Sequence, residues 1–146
     1  MSSLFDPFNS ETLKLKNKIV MAPMTRSRAT AEHVPTGIMA TYYGQRSGAG
    51  LIITEGTSPS PNGVGYARIP GLYTAEQAKA WKAVTEEVHK EEVKIFVQLM
   101  HTGRVSHPDN MPEGSEILAP SAKAPANTEM YTDANGNQPI PTPKAM

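Results

Sequence analysis

The chain has 146 residues, enough for one domain with a packed core. Lys plus Arg and Asp plus Glu number 14 each, so the net charge is zero and no basic stripe offers itself to nucleic acid or an anionic membrane. With no cysteine, disulfides, Cys-ligated zinc, iron–sulfur centres and a Cys nucleophile are excluded.

The N-terminus, MSSLFDPFNSETLKLKN, lacks the basic start and long apolar run of a signal peptide. No run approaches the ~18 apolar residues of a membrane span. A cytoplasmic location is therefore the expectation. LFDPFNSETLKLKN predicts a short hairpin, with Asp6-Pro7 and Asn9-Ser10 as turn chemistry. KIVMAPM, residues 18–24, is an apolar run too short for a helix and reads as a buried strand that Pro23 ends. Residues 36–47 predict a helix, because Ile38, Met39, Tyr42 and Tyr43 recur at 3–4 spacing and Gly48-Ala49-Gly50 follows as a stop. LIIT, residues 51–54, reads as a second buried strand ending in Glu55-Gly56-Thr57. A Pro/Gly/Asn loop then leads to the clearest helix, residues 74–90. There Thr74 and Gln77 fit a capping box, and Ala78, Trp81, Val84 and Val88 form one stripe. VKIFVQLM, residues 93–100, is the third strand. Val93, Ile95, Val97 and Leu99 should face helices, and Phe96, Gln98 and Met100 the opposite side.

Apolar strands separated by amphipathic helices imply parallel βαβ units and an α/β class, doubly wound or barrel. From Thr102 onward the sequence is rich in breakers, as in HPDNMPEG, LAPSAKAPAN and DANGNQPIPTPKAM. It reads as one long loop, of the kind that is either functional or disordered. Sites in parallel α/β folds collect at the carboxyl ends of strands. Here those ends are PMTR, EGT and QLMHTGR, all brought to one edge. Gln98 stands out, because an amide among apolar neighbours needs hydrogen-bond partners. No Gly-x-Gly-x-x-Gly follows a strand, and neither a Walker A pattern nor a Gly-x-Ser-x-Gly elbow is present. His101 and His107 lack a carboxylate at metal-ligand spacing, so no metal site is expected. His33 and His89 read as solvated.

KNKIVMAPMTRSRA, GLIITEG, GYARIPGLY and VQLMHTGR, in this order and spacing, resemble the Old Yellow Enzyme family of FMN-dependent ene-reductases. The match runs from about Leu4 to Lys144. The resemblance implies the N-terminal portion of a (β/α)8 TIM barrel: three strands, two helices, an N-terminal hairpin and a long C-terminal loop. In the family, FMN lies over the carboxyl ends of the strands, takes hydride from NADPH or NADH at N5, and passes it to an activated alkene such as an enone, maleimide or nitroalkene. By resemblance, Pro23, Met24 and Thr25 would line the isoalloxazine, with the Thr25 hydroxyl donating toward O4. Gly56 and Gln98 would lie at the pyrimidine edge. Thr25, Tyr66 and Met100 would face substrate, with Met100 standing where several relatives have Trp.

No catalytic residue is expected among these 146, because the family's carbonyl-gripping pair and proton-donating tyrosine lie further downstream. A full barrel needs about 250 residues. The expectation is thus one segment of a single flavin-binding domain, residues 1–146, completed by another polypeptide carrying the remaining strands. Two other readings stand beside it. One is a non-catalytic partial barrel serving assembly; the other is a related flavin barrel oxidoreductase of the 2,4-dienoyl-CoA reductase type.

Overall fold

The computed structural model describes residues 3–146. The predicted hairpin is present: β1 (Phe8–Asn9) pairs antiparallel with β2 (Lys14–Leu15). Ser10 closes it, its Oγ accepting the Leu13 N–H at 3.0 Å while its own N–H donates to the Leu13 carbonyl at 2.9 Å.

The central unit is a parallel sheet. β3 (Val20–Met21), α1 (Gly37–Gly44), β4 (Leu51–Thr57), α2 (Ala75–His89) and β5 (Lys94–Leu99) follow in order, and the strands lie in the order β3-β4-β5. Each crossover is a helix, and both helices cover one face. Register assigns the faces. Met21, Ile52 and Ile95 sit side by side and pack toward the helices with Met39, Tyr43, Trp81, Val84, Val88 and Val93. Burying each such side chain contributes roughly 1.5–3 kcal/mol. Val20, Leu51 and Lys94 share the other face, as do Ile53 and Phe96. Among the described residues that face is largely uncovered: Phe96 is 51% exposed and Val20 46%, although Leu51 is 8% exposed. β5 is an open edge, with Leu99 59% exposed. An uncovered face and an unpaired edge are what one sector of a (β/α)8 barrel presents before its neighbours are added.

α2 forms for reasons visible in its first turn. Thr74 Oγ1 accepts the Gln77 N–H, and Gln77 Oε1 accepts the N–H groups of Thr74 (3.1 Å) and Tyr73 (2.9 Å). Such a cap stabilises by about 1 kcal/mol. The buried stripe is Gln77, Trp81, Val84 and Val88; Ala78, expected inside, is exposed. The capping glutamine takes the inner position because its Nε2 also donates to the Glu32 carbonyl at 3.3 Å. Trp81 satisfies its indole N–H at the Gly71 carbonyl, 3.0 Å away. In α1, Met39 and Tyr43 are buried, but Ile38 is exposed.

The segment after β5 is more ordered than a loop. β6 (Leu118–Ala119) pairs parallel with β9 (Lys144–Ala145), and β7 (Glu129–Thr132) pairs antiparallel with β8 (Gly136–Pro139). Gly136 at φ +68° closes the three-residue hairpin turn. Ile117, Ala119, Met130 and Ile140 are buried. The Asn110 amide donates to the carbonyls of Gly65 (3.0 Å) and Tyr131 (2.8 Å), tying the segment to the sheet end.

His33, expected in solvent, is buried with Nδ1 2.9 Å from the Ile69 carbonyl. His89 is exposed in the last turn of α2. Among the described residues no helix is long and apolar enough to cross a membrane, and no three His, Asp or Glu side chains group as a metal site.

Candidate functional site

The carboxyl ends of β3, β4 and β5 are fastened to one another by polar groups that β4 carries. β4 pairs Ile53 with Phe96 but Gly56 with Gln98, so it advances three residues while β5 advances two. The extra residue is a bulge, a device that re-aims side chains near sites. Thr54 Oγ1 accepts the Gln98 N–H at 3.1 Å and donates to the Glu55 carbonyl at 2.9 Å. Past the bulge, the Met100 N–H donates to the Thr57 carbonyl at 2.9 Å. β5 is thereby held to β4 up to its last residue.

Glu55 fastens the third strand end. It is 1% exposed. Its Oε2 accepts the Arg26 N–H at 3.0 Å, its Oε1 lies 3.4 Å from the Tyr43 hydroxyl, and its own N–H donates to that hydroxyl at 2.8 Å. Burial pushes the carboxyl above the ordinary Glu range. The N–H groups of Arg26 and Ser27, the Tyr43 hydroxyl and the Arg26 charge oppose that shift without cancelling it. Burial also raises Tyr43, so its hydroxyl stays protonated as a donor. In the sequence Glu55 belongs to EGT, which looks like a strand end reaching the surface, whereas it is buried. The signal was present, since an acid inside GLIITEG cannot be buried without partners.

The expected site residues fall into groups. Gly56, Gln98 and Met100 come together: Gly56 and Gln98 are register partners, and the Met100 side chain lies over Gly56. A Cβ at Gly56 would meet Met100 Cε at 2.4 Å and Sδ at 2.6 Å, so packing of Met100 by itself explains the glycine. Pro23, Met24 and Thr25 form the irregular end of β3, immediately before the Arg26 N–H held by Glu55. Met24 and Thr25 are exposed. Among the described residues the Thr25 hydroxyl and the Gln98 amide make no hydrogen bond. Tyr66 lies on the loop after β4, which the Asn110–Gly65 bond anchors to the segment beyond β5. It makes no ring contact or hydrogen bond with the other six among the described residues.

HTGR acts as scaffold. The Arg104 guanidinium donates to the Lys123 carbonyl at 2.7 Å and to Ser121 Oγ at 3.3 Å, and His101 Nδ1 accepts the Gly103 N–H at 3.1 Å. Thr102 Oγ1 donates to the Gly63 carbonyl at 3.1 Å. Among the described residues the strand ends thus present the Gln98 amide, which can both donate and accept, and the Thr25 hydroxyl without hydrogen bonds, on ends that also carry Pro23, Met24 and Met100. Such a set suits a planar heterocycle with alternating C=O and N–H groups along one side.

Comparison with known proteins adds three findings. Residues 3–146 match the family model described as NADH:flavin oxidoreductase / NADH oxidase family. A chanoclavine-I aldehyde reductase of Penicillium roqueforti is 41% identical over 150 residues, covering 100% of this chain and 38% of that protein. An Old Yellow Enzyme homologue from Zymomonas mobilis superposes with TM-score 0.90 at 43% identity, and morphinone reductase in complex with tetrahydroNAD with TM-score 0.89 at 41% identity. The superpositions cover 99% and 100% of this chain, and 40% and 41% of those chains. The chain thus spans about two fifths of the length of these relatives.

Proposed function

Because the chain belongs to the NADH:flavin oxidoreductase / NADH oxidase family, we propose that it supplies the N-terminal sector of an FMN-binding (β/α)8 barrel that reduces activated alkenes with NAD(P)H. The remaining strands come from a complementing polypeptide segment. The bare inner sheet face and the open β5 edge support this, since both need covering apolar partners. FMN would supply the hydride chemistry, accepting from the nicotinamide and delivering to the alkene.

This chain's own residues bind and orient. The observation that carries the reading is the Gln98 amide, presented without a hydrogen-bond partner among the described residues at the strand end beside Gly56. Its donor and acceptor match the C=O and N–H edge of a flavin pyrimidine ring. The donor set of this edge fits the cofactor on that ground. Thr25 would donate its hydroxyl to a flavin carbonyl. A donor there favours negative charge on the reduced ring and so raises its potential. Pro23 and Met24 would pack against the ring. Met100, held over Gly56, and Tyr66 would shape the space for a small activated alkene. None of the described residues is given the role of proton donor to substrate.

The reading is tested by reconstituting the barrel with FMN and following NAD(P)H oxidation with an enone. Activity that falls in Gln98→Ala together with weaker FMN binding is the expected result. Unchanged FMN affinity in that variant would remove Gln98 from the site.

A further inference from the structure

Thr25 sits in a stretch without regular structure, residues 22–28, yet the proposed function asks its hydroxyl to meet a flavin carbonyl within hydrogen-bond tolerance. Something must fix that stretch. The bond from the Arg26 N–H to Glu55 Oε2 at 3.0 Å joins the residue after Thr25 to β4. Ser27, the next residue, has φ 52°, in the left-handed region. A residue with a Cβ rarely adopts this conformation unaided, so the surroundings must hold it there. Its N–H favours the charged form of the same carboxylate. One backbone donor, the Arg26 N–H, is thus bonded to this buried acid, and the Ser27 N–H adds to the field that favours its charged form.

Glu55 is itself held from the other side. The Tyr43 hydroxyl lies 3.4 Å from Oε1 and accepts the Glu55 N–H at 2.8 Å. Tyr43 is fully buried, edge-on to Tyr42 with ring centroids 5.2 Å apart and 6.3 Å from Trp81 of α2. A continuous line therefore runs from the helix layer through Tyr43 and Glu55 to the Arg26 N–H. Stability alone is weak ground for it, because the desolvation of a buried carboxylate can exceed what its bonds return. A neutral acceptor would cap the same N–H groups with less desolvation.

We propose that Glu55 is a positioning residue for the cofactor-facing loop, fixing the Thr25 hydroxyl through the Arg26 N–H while Tyr43 fixes Glu55. The inference rests on the flavin role given to Thr25. It acts through the backbone, so Glu55 need not touch flavin or substrate.

The test uses the reconstituted FMN-loaded barrel and reads the flavin midpoint potential and the rate of flavin reduction by NAD(P)H. Thr25→Ala alone should lower both. Glu55→Ala should lower both in the same direction, with a rate loss of about 2- to 100-fold, no larger than that of Thr25→Ala. Glu55→Gln keeps an acceptor for the Arg26 N–H and should restore most of the loss. In the Thr25→Ala background, Glu55→Ala should add little. If Glu55→Ala does not fold, Tyr43→Phe, which releases Oε1, should give a smaller change of the same sign that also vanishes in the Thr25→Ala background.

An effect of Glu55→Ala of equal size with and without Thr25 would overturn the inference, as would no rescue by Gln. Should Thr25→Ala alone leave the potential unchanged, the flavin role of Thr25 fails and the inference falls with it; that failure shows in the single variant, before Glu55 is touched.

Discussion

Gly56→Ala separates two reasons for the same glycine. Gly56 is not among the residues with positive φ, so an alanine can adopt its backbone without strain. That alone would stabilise by about 0.4–1 kcal/mol through the unfolded chain. Against this, the new Cβ would lie 2.4 Å from Met100 Cε, 2.6 Å from Sδ and 3.3 Å from Cβ. Good carbon contacts lie near 3.5–4.0 Å, so the thioether must swing aside by more than about 1 Å. Met can do this at modest cost because three bonds rotate, whereas its Cβ is fixed to the strand. Overpacking of this kind costs about 1–3 kcal/mol, leaving a net loss of about 1 kcal/mol. Urea unfolding of the reconstituted barrel measures it. In a Met100→Ala background only the 3.3 Å contact to the retained Cβ remains, and the loss from Gly56→Ala should shrink to near zero. A loss of the same size in both backgrounds would refute the claim that Met100 packing sets the residue at 56.

Three further outcomes follow from the same geometry. Gly50→Ala should cost about 3 kcal/mol or more by urea midpoint, because its Cβ would fall 2.1 Å from the Asn17 carbonyl oxygen; a loss below about 1 kcal/mol would mean that this backbone yields. Asn17 cannot retreat easily, since its side chain bonds the Gly48 carbonyl and the Ile19 N–H. Gln77→Ala should lower stability by about 2 kcal/mol in thermal unfolding, because it strips an acceptor from the Tyr73 and Thr74 N–H groups and a donor from the Glu32 carbonyl. Glu55 sets a pH dependence: its folded pKa is raised above the ordinary 4.5, chiefly by burial, so its contribution to stability is greatest below that value and is lost as pH rises through the folded one. Glu55→Gln removes the titration. The stability of the Gln variant relative to the parent should therefore grow as pH rises from about 4.5 and then level off, with Tyr43 protonated throughout. A difference that stays flat with pH contradicts the raised carboxyl.

The βαβ frame was legible because its signals are local. The capping pair Thr74 and Gln77, the apolar runs at 18–24, 51–54 and 93–100, and the glycines after the first helix each act within a few residues. What was not legible depends on partners far away in sequence. Gln77 rather than Ala78 faces inward because Glu32 supplies a carbonyl there. His33 is buried because the Ile69 carbonyl meets its ring. The β4 bulge and the burial of Glu55 appear only when β5 and α1 are placed beside β4. The β6–β9 ladder joins strands of two residues more than twenty positions apart, which no periodicity can reveal. The β7–β8 hairpin did have a signal, Asp133-Ala134-Asn135-Gly136, hidden among prolines that suggested a loop.

The central claim is that these strand ends are one part of an FMN site that other strands complete. Its most direct test is an FMN titration followed by visible absorption, with the chain alone and with the remaining barrel strands. The chain alone should leave the spectrum of free flavin unchanged. The reassembled barrel should take up about one FMN, bleach with NAD(P)H without oxygen, and recover on addition of an enone. A folded, reassembled barrel that stays colourless would contradict the account, and so would stoichiometric FMN binding by the chain alone.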